Sequence, residues 1–430
     1  MKLTYDEFDK YLKHLYGDDQ EMLVNQHSRY TRLDQEFIRR FDDQERILFS
    51  TPGRTEIGGN HTDHNQGRVL AASIDLDSIA AITKTDTNMV ELYSEGYFLP
   101  FQVNLDELEV DVNEQGTTTA LIRGIAARFL ELGHKVGGFS GCMTSNVLPG
   151  SGLSSSASIE VLIGSIFNVL FNDESIEPEI IAQIGQYAEN VYFGKPCGLM
   201  DQMACAVGGV ISIDLQDSTR PEVKKIDFDF NEKKYGIVIV DTGGEHSDLT
   251  DDYAAIPGEM KAVAKYFSKA SLREVGEHQF YARIKELRKR VGDRAVLRAN
   301  HYFQENERVL HQVASLESDD MDQFMEQVKA SGNSSFRWLQ NIYSTRNVME
   351  QGIALSLALS EKYLYKISAG ACRVHGGGFA GTTQTFLPIQ AVSEYSKMMQ
   401  KVFGSDSVID LRIRPHATVH FKPMSLKEVT

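Results

Sequence analysis

The residues best suited to chemistry form a Gly/Ser segment, Pro149-Gly-Ser-Gly-Leu-Ser-Ser-Ser-Ala-Ser158, which leads directly into an apolar pattern of helical spacing. Glycines let a backbone turn sharply and approach a ligand, and the unpaired N–H groups at a helix start attract anions. The serine hydroxyls could also reach phosphate oxygens or a magnesium ion. A serine helix cap is the structural alternative, but a cap needs only one such residue. The segment therefore predicts a phosphate-binding loop, although not a Walker loop, because no Gly-Lys-Ser/Thr ending is present.

A second cluster of polar residues runs from Gly53 to Asn65 and has the sequence GRTEIGGNHTDHN. It lies between strand-like runs, so we expect a loop that directs polar groups into a cleft. Arginine supplies a fixed positive fork, and Asp and Asn bond hydroxyls, so the mixture suits a polyhydroxylated ligand beside a phosphate. A metal site at His61, Asp63 and His64 is the competing interpretation. Their spacing matches neither a zinc-protease helix nor a Cys/His ribbon, which disfavours a metal.

A third cluster, Gly194 to Gln202, follows a predicted helix that carries Glu189. Asp201 lies between apolar residues in a glycine-containing turn. A carboxylate shielded in this way can orient or deprotonate a hydroxyl nucleophile. An aspartate that bonds its own turn is an equally good interpretation of the sequence.

A fourth cluster, Gly370 to Gly381, contains a formal G-x-G-x-x-G pattern. A dinucleotide-binding fold requires a helix directly after such a pattern. The next residues, Thr-Thr-Gln-Thr-Phe-Leu-Pro, favour a strand instead. The dinucleotide interpretation is therefore excluded, and close packing of the glycines against a ligand or another loop is left.

The elements that must position these clusters follow from apolar periodicity and from Gly, Pro and capping residues. Helices are predicted for residues 4–45, Thr119–Leu132 and Pro178–Phe193, and mostly helix for Asp252–Leu359. Strands are predicted for Ile47–Ser50, Val69–Thr83, Phe139–Val147, Val210–Leu215, Tyr235–Asp241, Val408–Ile413 and Ala417–Phe421. A change in composition near residues 215–235 suggests a domain boundary.

Composition narrows the possible partners. The chain of 430 residues is long enough for about two domains. Its net charge of −16 argues against nucleic acid or an anionic membrane as a partner. No signal-like or membrane-spanning segment is recognisable. The 4 cysteines show no C-x-x-C pair, which fits reduced thiols and a cytoplasmic location.

In order and spacing, the four clusters together resemble the motifs of galactokinases, within the superfamily that also includes homoserine, mevalonate and phosphomevalonate kinases (GHMP kinases). Gly53–Asn65 matches the motif G-R-V-N-L-I-G-E-H-T-D-Y-N without a gap, and Gly152–Ser158 matches G-L-S-S-S-A-S. Cys197–Gln202 is similar to C-G-I-M-D-Q, and Gly370–Gly381 resembles the third motif. A histidine seven residues before a tyrosine recurs as His246 and Tyr253. The similarity extends over roughly residues 20 to 425.

This resemblance implies an α+β fold with mixed sheets and helices in two domains, residues 1–220 and 221–430, with the active site in the cleft between them. It implies transfer of the γ-phosphate of ATP to the C1 hydroxyl of galactose, with Mg²⁺ required. The expected partners are the sugar and ATP, without nucleic acid or membrane, for a monomer or weak homodimer.

The resemblance also implies roles for individual residues. Asp201 would be the catalytic carboxylate, acting either as a base or as an electrostatic stabiliser. Arg54 would be the arginine that stabilises Asp201 or the charge that develops during the reaction. Ser156 and Glu189 would bind magnesium. The expected sugar contacts are Asn60, His61, Asp63, Gly198 and Tyr253. The expected contacts of the ATP phosphates are Gly150, Ser151, Gly152, Leu153, Ser154, Ser155 and Ser156.

Three residues depart from the galactokinase pattern: Asn60 replaces a Glu, Glu56 replaces an Asn, and His64 replaces a Tyr. A neutral residue at position 60 removes a carboxylate that would repel an acidic C6 group. A sugar-1-kinase for galacturonate, an N-acetylated hexosamine or another C6-altered sugar is therefore an alternative. A non-catalytic sugar sensor is a further alternative, disfavoured because the Gly152–Ser158 loop has its full length and Asp201 is present.

Overall fold

The computed structural model describes residues 5–147, 152–244, 249–379 and 381–422, in which helices and strands alternate irregularly. The helices are α1 (Tyr5–Tyr16), α2 (Gln20–Phe41), α3 (Thr118–Glu131), α4 (Ser155–Phe171), α5 (Pro178–Ala188), α6 (Met200–Val207), α7 (Thr250–Tyr266), α8 (Glu277–Ala282), α9 (Ile284–Val291), α10 (Asp293–Glu317), α11 (Met321–Ser334), α12 (Gly352–Ile367) and α13 (Ile389–Phe403). The strands are β1 (Ile47–Gly58), β2 (Arg68–Lys84), β3 (Met89–Ser94), β4 (Phe101–Asn104), β5 (Phe139–Ser145), β6 (Val210–Asp214), β7 (Glu222–Ile226), β8 (Tyr235–Asp241), β9 (Ala371–His375), β10 (Thr382–Pro388), β11 (Val408–Leu411) and β12 (Val419–Phe421). Two π-helical turns, Glu189–Phe193 and Ser335–Leu339, continue α5 and α11.

The first sheet is built around β2, which is apolar on both faces. Its eight strands run in the order β12-β1-β2-β5-β3-β4, with β6 pairing β2 and β7 pairing β6. Successive side chains of a strand point to opposite faces. Ala80 and Ile82 accordingly join the core formed with α3–α6, whereas Ile79 and Ala81 join the core formed with α1 and α2. Because helices cover both faces, apolar residues are buried on both faces of the strand, in residues 69–72 and 79–82.

The second sheet has four antiparallel strands in the order β11-β8-β10-β9. The side chains of β8 alternate between two cores. Ile237 and Ile239 pack with α10 and α11, and Val238 and Val240 pack with α12 and α13. The core with α10 and α11 also contains Ile57 of β1. It therefore joins the second sheet to the strand that carries the second sequence cluster.

Most predicted elements are confirmed, and two local predictions are wrong. The segment Gly53–Gly58 belongs to strand β1 rather than to a loop. Pro52 and Gly53 suggest a break in the sequence, but register shifts after Pro52 and Glu56 let β1 continue through them as a bulged strand. Asp201 lies in the first turn of α6 rather than in an irregular turn. The α+β class with mixed sheets is confirmed, whereas the domain boundary at residue 220 stays a prediction.

The described residues also show the lengths of the helices and the state of the cysteines. Across the described ranges, no helix is both long enough and apolar enough to cross a membrane. The cysteines at positions 142, 197, 205 and 372 are all free thiols, and three of them are buried.

Candidate active site

The centre of the site is an ion pair between Arg54 of β1 and Asp201 of α6. Arg54 donates from Nε to Oδ1 and from Nη2 to Oδ2 of Asp201, each at 2.7 Å. Arg54 is buried, whereas 28% of the Asp201 side chain is exposed, so the carboxylate stays accessible. Burial raises the pKa of Asp201, but the charge and hydrogen bonds of Arg54 and the Ser154 hydroxyl outweigh it and hold the pKa below its usual value. Asp201 is therefore ionised at neutral pH.

The phosphate loop packs directly on this pair. The side chain of Arg54 donates from Nη1 to the carbonyl of Gly152, and its backbone N–H donates to the carbonyl of Leu153 at 3.2 Å. Leu153 is fully buried and anchors the loop in the core. Ser154 has a left-handed backbone conformation with φ 58°, and its hydroxyl donates to Asp201. The loop and the catalytic candidates thus form one hydrogen-bonded unit.

Helix α4 begins immediately after this turn. It starts at Ser155, so the first unpaired N–H groups of the helix lie beside the Arg54–Asp201 pair. Such groups bind anions, as the sequence predicts for phosphate. Of the residues expected to contact the phosphates, Gly150 and Ser151 lie outside the described residues. His246, named with Tyr253 in the resemblance, also lies outside them.

The two residues expected to hold magnesium are in contact. The hydroxyl of Ser156 donates to Oε1 of Glu189 at 2.9 Å, and Nζ of Lys195 lies 3.2 Å from the same oxygen. Gln202 donates from Nε2 to Glu189 and to Glu160, each at 2.9 Å. Hydroxyl and carboxylate oxygens are ligands that Mg²⁺ prefers, with waters and substrate phosphates completing its coordination. This donor pair fits a magnesium ion carried in with a nucleotide.

The expected sugar contacts other than Asn60 connect separate segments of the chain. Gly198 packs so closely on Asp63 that a Cβ at position 198 would lie 1.7 Å from Oδ2 of Asp63. Nε2 of His61 donates to the carbonyl of Gly377 at 3.0 Å, and the Tyr253 hydroxyl donates to the carbonyl of Gly378 at 2.9 Å. Burial lowers the pKa of His61 to about 3, so its imidazole is neutral. These contacts connect the second and fourth sequence clusters.

Asn60 is completely buried and is bonded on all sides to the protein. Its Nδ2 donates to Oε1 of Glu56 at 3.0 Å and to the carbonyl of Gly376 at 2.8 Å. Its Oδ1 accepts from Asn341 at 2.9 Å and from Ser335 at 3.3 Å. Because the amide has no further hydrogen-bonding capacity, this geometry does not favour a direct contact with a sugar.

The carboxylate of Glu56 is neutralised within the same network. The guanidinium of Arg373 donates to it, and both side chains are buried. Arg373 also donates to the carbonyl of Ile57 at 2.7 Å. The acidic group at position 56 is thus paired inside the protein.

Sequence reasoning missed several polar residues behind the site. Glu160, Lys195 and Gln202 surround Glu189, and His375 lies under the phosphate loop. Burial and the charge of Glu189 raise the pKa of Glu160 well above its usual value. A glutamate on the apolar face of α4 and a histidine at the end of an apolar strand are signals that could have found two of them.

Comparisons with known proteins show what the chain is similar to. Residues 35–84 match the galactokinase galactose-binding signature, and residues 120–209 match the N-terminal domain of GHMP kinases. The chain is 30% identical over 371 residues to a galactokinase of Clostridium acetobutylicum, covering 84% of this chain and 90% of the relative. It is also 30% identical over 355 residues to one of Actinobacillus pleuropneumoniae, covering 81% and 87%.

Solved structures show the same fold. Lactococcus lactis galactokinase, solved in complex with galactose, superposes with a TM-score of 0.78 at 24% identity, covering 91% of this chain and 99% of that one. The Methanococcus jannaschii mevalonate kinase superposes with a TM-score of 0.59 at 16% identity, covering 86% and 99%.

Proposed function

Because the chain belongs to the galactokinase family, we propose that it transfers the γ-phosphoryl group of MgATP to the C1 hydroxyl of galactose, giving galactose 1-phosphate and ADP. The GHMP-kinase fold and the sugar kinase class predicted from the sequence are confirmed. The observation that carries the proposal is the Arg54–Asp201 pair, which is bonded directly to the Gly152–Ser154 turn.

Asp201 would receive and orient the C1 hydroxyl. Phosphoryl transfer requires mainly that groups be positioned and charge be neutralised. A carboxylate with a low pKa is a weak base towards an alcohol, but it is a good hydrogen-bond acceptor. Asp201 would thus align the attacking oxygen first and accept its proton as the bond to phosphorus forms. Arg54 would keep Asp201 ionised and hold its carboxylate in one orientation.

The nucleotide phosphates would lie at the start of α4. We assign their contacts to the phosphate loop, Gly150, Ser151, Gly152, Leu153, Ser154, Ser155 and Ser156. Ser156 and Glu189 would hold the magnesium ion, which when bound neutralises charge on the phosphates. Lys195 lies beside the same carboxylate and would add positive charge there.

The sugar would lie against Asp63, His61, Tyr253 and the backbone of Gly198. Asp63 retains 11% exposure of its side chain and lies against Gly198, three residues before Asp201. Its carboxylate is therefore placed to accept hydrogen bonds from sugar hydroxyls near the reacting group. Asn60 would not touch the sugar. It would support the proposed sugar contacts by donating a hydrogen bond to the carbonyl of Gly376.

An assay of ADP release with a panel of sugars tests the proposal. Galactose should be the preferred acceptor, and the product should carry phosphate on C1 by ³¹P and ¹H NMR. Asp201→Asn keeps the shape of the side chain and should lose almost all turnover. Asp214→Asn is the matched control, because Asp214 pairs with Arg68 and Arg273 at another site. Full activity of Asp201→Asn, or phosphate on another carbon, would contradict the proposal.

A C6-altered sugar is the second candidate. The neutral amide of Asn60 lies behind the proposed sugar contacts, and the neighbouring carboxylate of Glu56 is already paired with Arg373. This arrangement would not repel an acidic group on C6. Galacturonate and N-acetylgalactosamine therefore belong in the panel, and turnover of galacturonate without turnover of galactose would favour this candidate over the first.

The remaining expectations stay predictions. They are the division into two domains at residue 220, the cytoplasmic location and a monomeric or weakly dimeric state. Light scattering of the purified protein at several concentrations tests the oligomeric state.

A further inference from the structure

His375 occupies a buried position where three parts of the site meet. It is the last residue of β9, immediately before the three glycines at positions 376–378, and its side chain is 1% exposed. Its Nε2 lies 3.0 Å from the hydroxyl of Thr55 and 3.3 Å from the backbone nitrogen of Glu56. Its Nδ1 lies 3.0 Å from the hydroxyl of Thr382 on β10. One imidazole therefore joins the first sheet to the second.

The partners of the ring define its protonation. The backbone N–H of Glu56 can only donate, so Nε2 must be the unprotonated nitrogen. The Thr55 hydroxyl accepts from Gln384 at 2.7 Å and is thereby free to donate to Nε2 as well. Nδ1 then carries the proton and donates to Thr382. Burial, with Arg54 and Arg373 nearby, holds the pKa of His375 well below its usual range, which keeps this neutral form.

The ring also supports the phosphate loop. A Cβ at Gly152 would lie 3.1 Å from Nδ1 of His375 and 2.7 Å from the Thr382 hydroxyl, so the loop backbone rests on these two side chains. On its other side, the carbonyl of Gly152 accepts from Arg54. The loop is thus held between His375 and the arginine that binds Asp201.

We infer that His375 is a positioning residue, which fixes the β1 segment around Arg54 and the Gly152 turn relative to each other. The inference rests on the proposed function. His375 does not touch the reacting atoms in this scheme. It acts through the hydrogen bonds to Thr55 and Glu56, which flank Arg54, and through its packing under Gly152.

Three substitutions separate this role from ordinary core packing. His375→Ala removes all contacts of the ring. His375→Gln can place an acceptor near the position of Nε2, towards Thr55 and Glu56, whereas His375→Asn can place a polar group near Nδ1, towards Thr382. Thr385→Val is the control, because Thr385 is buried on the same strand as Thr382 and its hydroxyl bonds Tyr395 away from the site.

Steady-state kinetics should be measured at a temperature at which melting curves show every variant to be folded. His375→Ala should lower kcat by roughly 10- to 100-fold, as expected for a small misplacement of catalytic groups, with little change in the KM for the sugar. His375→Gln should recover most of kcat, and His375→Asn should not. Thr385→Val should retain the kcat of the wild type even if its melting temperature falls. Equal kcat in all folded variants would overturn the inference.

Binding of MgADP, measured by calorimetry without sugar, provides a second readout that does not depend on turnover. His375→Ala should weaken this binding, because the turn that offers its amides to the phosphates is no longer supported. His375→Asn, which keeps a polar group near Nδ1 under Gly152, should restore it more than His375→Gln does. Unchanged MgADP affinity in folded His375→Ala would overturn the inference. A wild type that binds MgADP but phosphorylates no sugar would overturn only the proposed function.

Discussion

Arg54 and Asp201 are 147 residues apart in the chain, yet they share two parallel hydrogen bonds of 2.7 Å. A bulged strand of the first sheet supplies the arginine, and the first turn of a short helix supplies the aspartate. Paired charges of this geometry are strong and directional. The pair holds the carboxylate in one orientation and keeps it ionised while part of its surface remains open.

The first prediction concerns the pH dependence created by this pair. Arg54→Lys keeps the charge but loses the planar fork, so burial should dominate and the pKa of Asp201 should rise. In the wild type, kcat/KM should stay constant on the acid side down to the usual titration range of Asp, about pH 4. In Arg54→Lys its decline should begin at higher pH, and kcat should fall about 10²-fold. Arg68→Lys, at the ion pair with Asp214, is the control that should keep both the profile and the rate.

The measurement is a pH–rate profile from about pH 4.5 to about pH 9 at saturating MgATP. An unchanged acid side in Arg54→Lys would mean that Arg54 does not control the ionisation of Asp201.

The second prediction treats Glu56 and Asn60 as one coupled unit. Glu56→Asn leaves Arg373 buried without its partner, which should cost about 3–5 kcal/mol of unfolding free energy. Asn60→Glu places a second carboxylate beside Glu56 and should also destabilise the protein. The double variant again has one carboxylate, one amide and one arginine, so it should be more stable than the sum of the two single effects implies.

A double-mutant cycle of urea unfolding midpoints measures this coupling. Additive losses would show that the two positions are independent. The sugar panel applied to the double variant then shows whether moving the carboxylate to position 60 lowers turnover of an acidic C6 sugar relative to galactose, as like-charge repulsion requires.

The third prediction concerns the close contact between Gly198 and Asp63. In Gly198→Ala the new methyl group would displace the Asp63 carboxylate, because the undisturbed separation would be 1.7 Å. The KM for the sugar should rise about tenfold or more, with a smaller change in the KM for MgATP. Gly258→Ala in α7 is the control, since a Cβ there would meet nothing within 4 Å. Equal sugar KM values in Gly198→Ala and the wild type would remove Asp63 from the sugar site.

The sequence predicts the parts of the site that are local, and it misses those formed by distant contacts. Each chemical cluster lies on one short segment, so residue types and spacing predict the phosphate loop, and the resemblance to galactokinases adds Arg54 and Asp201 as catalytic candidates. The surroundings of Asn60 are different, because Ser335, Asn341 and Gly376 reach it from 275 or more residues away. No periodicity records such contacts. The polar motif therefore predicts a ligand contact for Asn60, whereas in the fold its side chain is buried among these distant partners.

Strand β1 illustrates the same limit at the level of secondary structure. Pro52, Gly53 and Gly58 are poor strand formers, so propensity ends the strand at Ser50. Pairing with β2 over its whole length overrides this preference, with a shift in register where the proline lies. The bulged strand also places Arg54 within hydrogen-bonding distance of the Gly152 carbonyl.

The last prediction concerns stability away from the site. Asp77 of β2 is completely buried, and side chains from three elements and from one connecting segment converge on it. Tyr16 of α1 donates to Oδ2 at 2.6 Å, and Arg29 of α2 donates to the carbonyl of residue 77 at 2.7 Å and also to the carboxylate. Ser50 of β1 donates to Oδ2, and Nη1 of Arg414, near the C-terminus, lies 3.2 Å from it. This carboxylate therefore binds α1, α2 and the segment at Arg414 to the first sheet.

Asp77→Asn should leave two buried arginines without a counter-charge and cost about 3–5 kcal/mol of unfolding free energy. Burial raises the pKa of Asp77, but Arg29 and Arg414 outweigh it and hold the pKa below its usual value. A depressed carboxyl pKa stabilises the fold above the unfolded-state value, about 3.9, and this stabilisation is lost as the pH falls through the folded-state value. The loss of urea midpoint in Asp77→Asn should thus be large at pH 7 and should shrink only below about pH 4.

Asp9→Asn, at an exposed pair with Lys13, should change the midpoint little. Equal midpoints for Asp77→Asn and the wild type at pH 7 would show that packing alone holds α1, α2 and the segment at Arg414 on the first sheet.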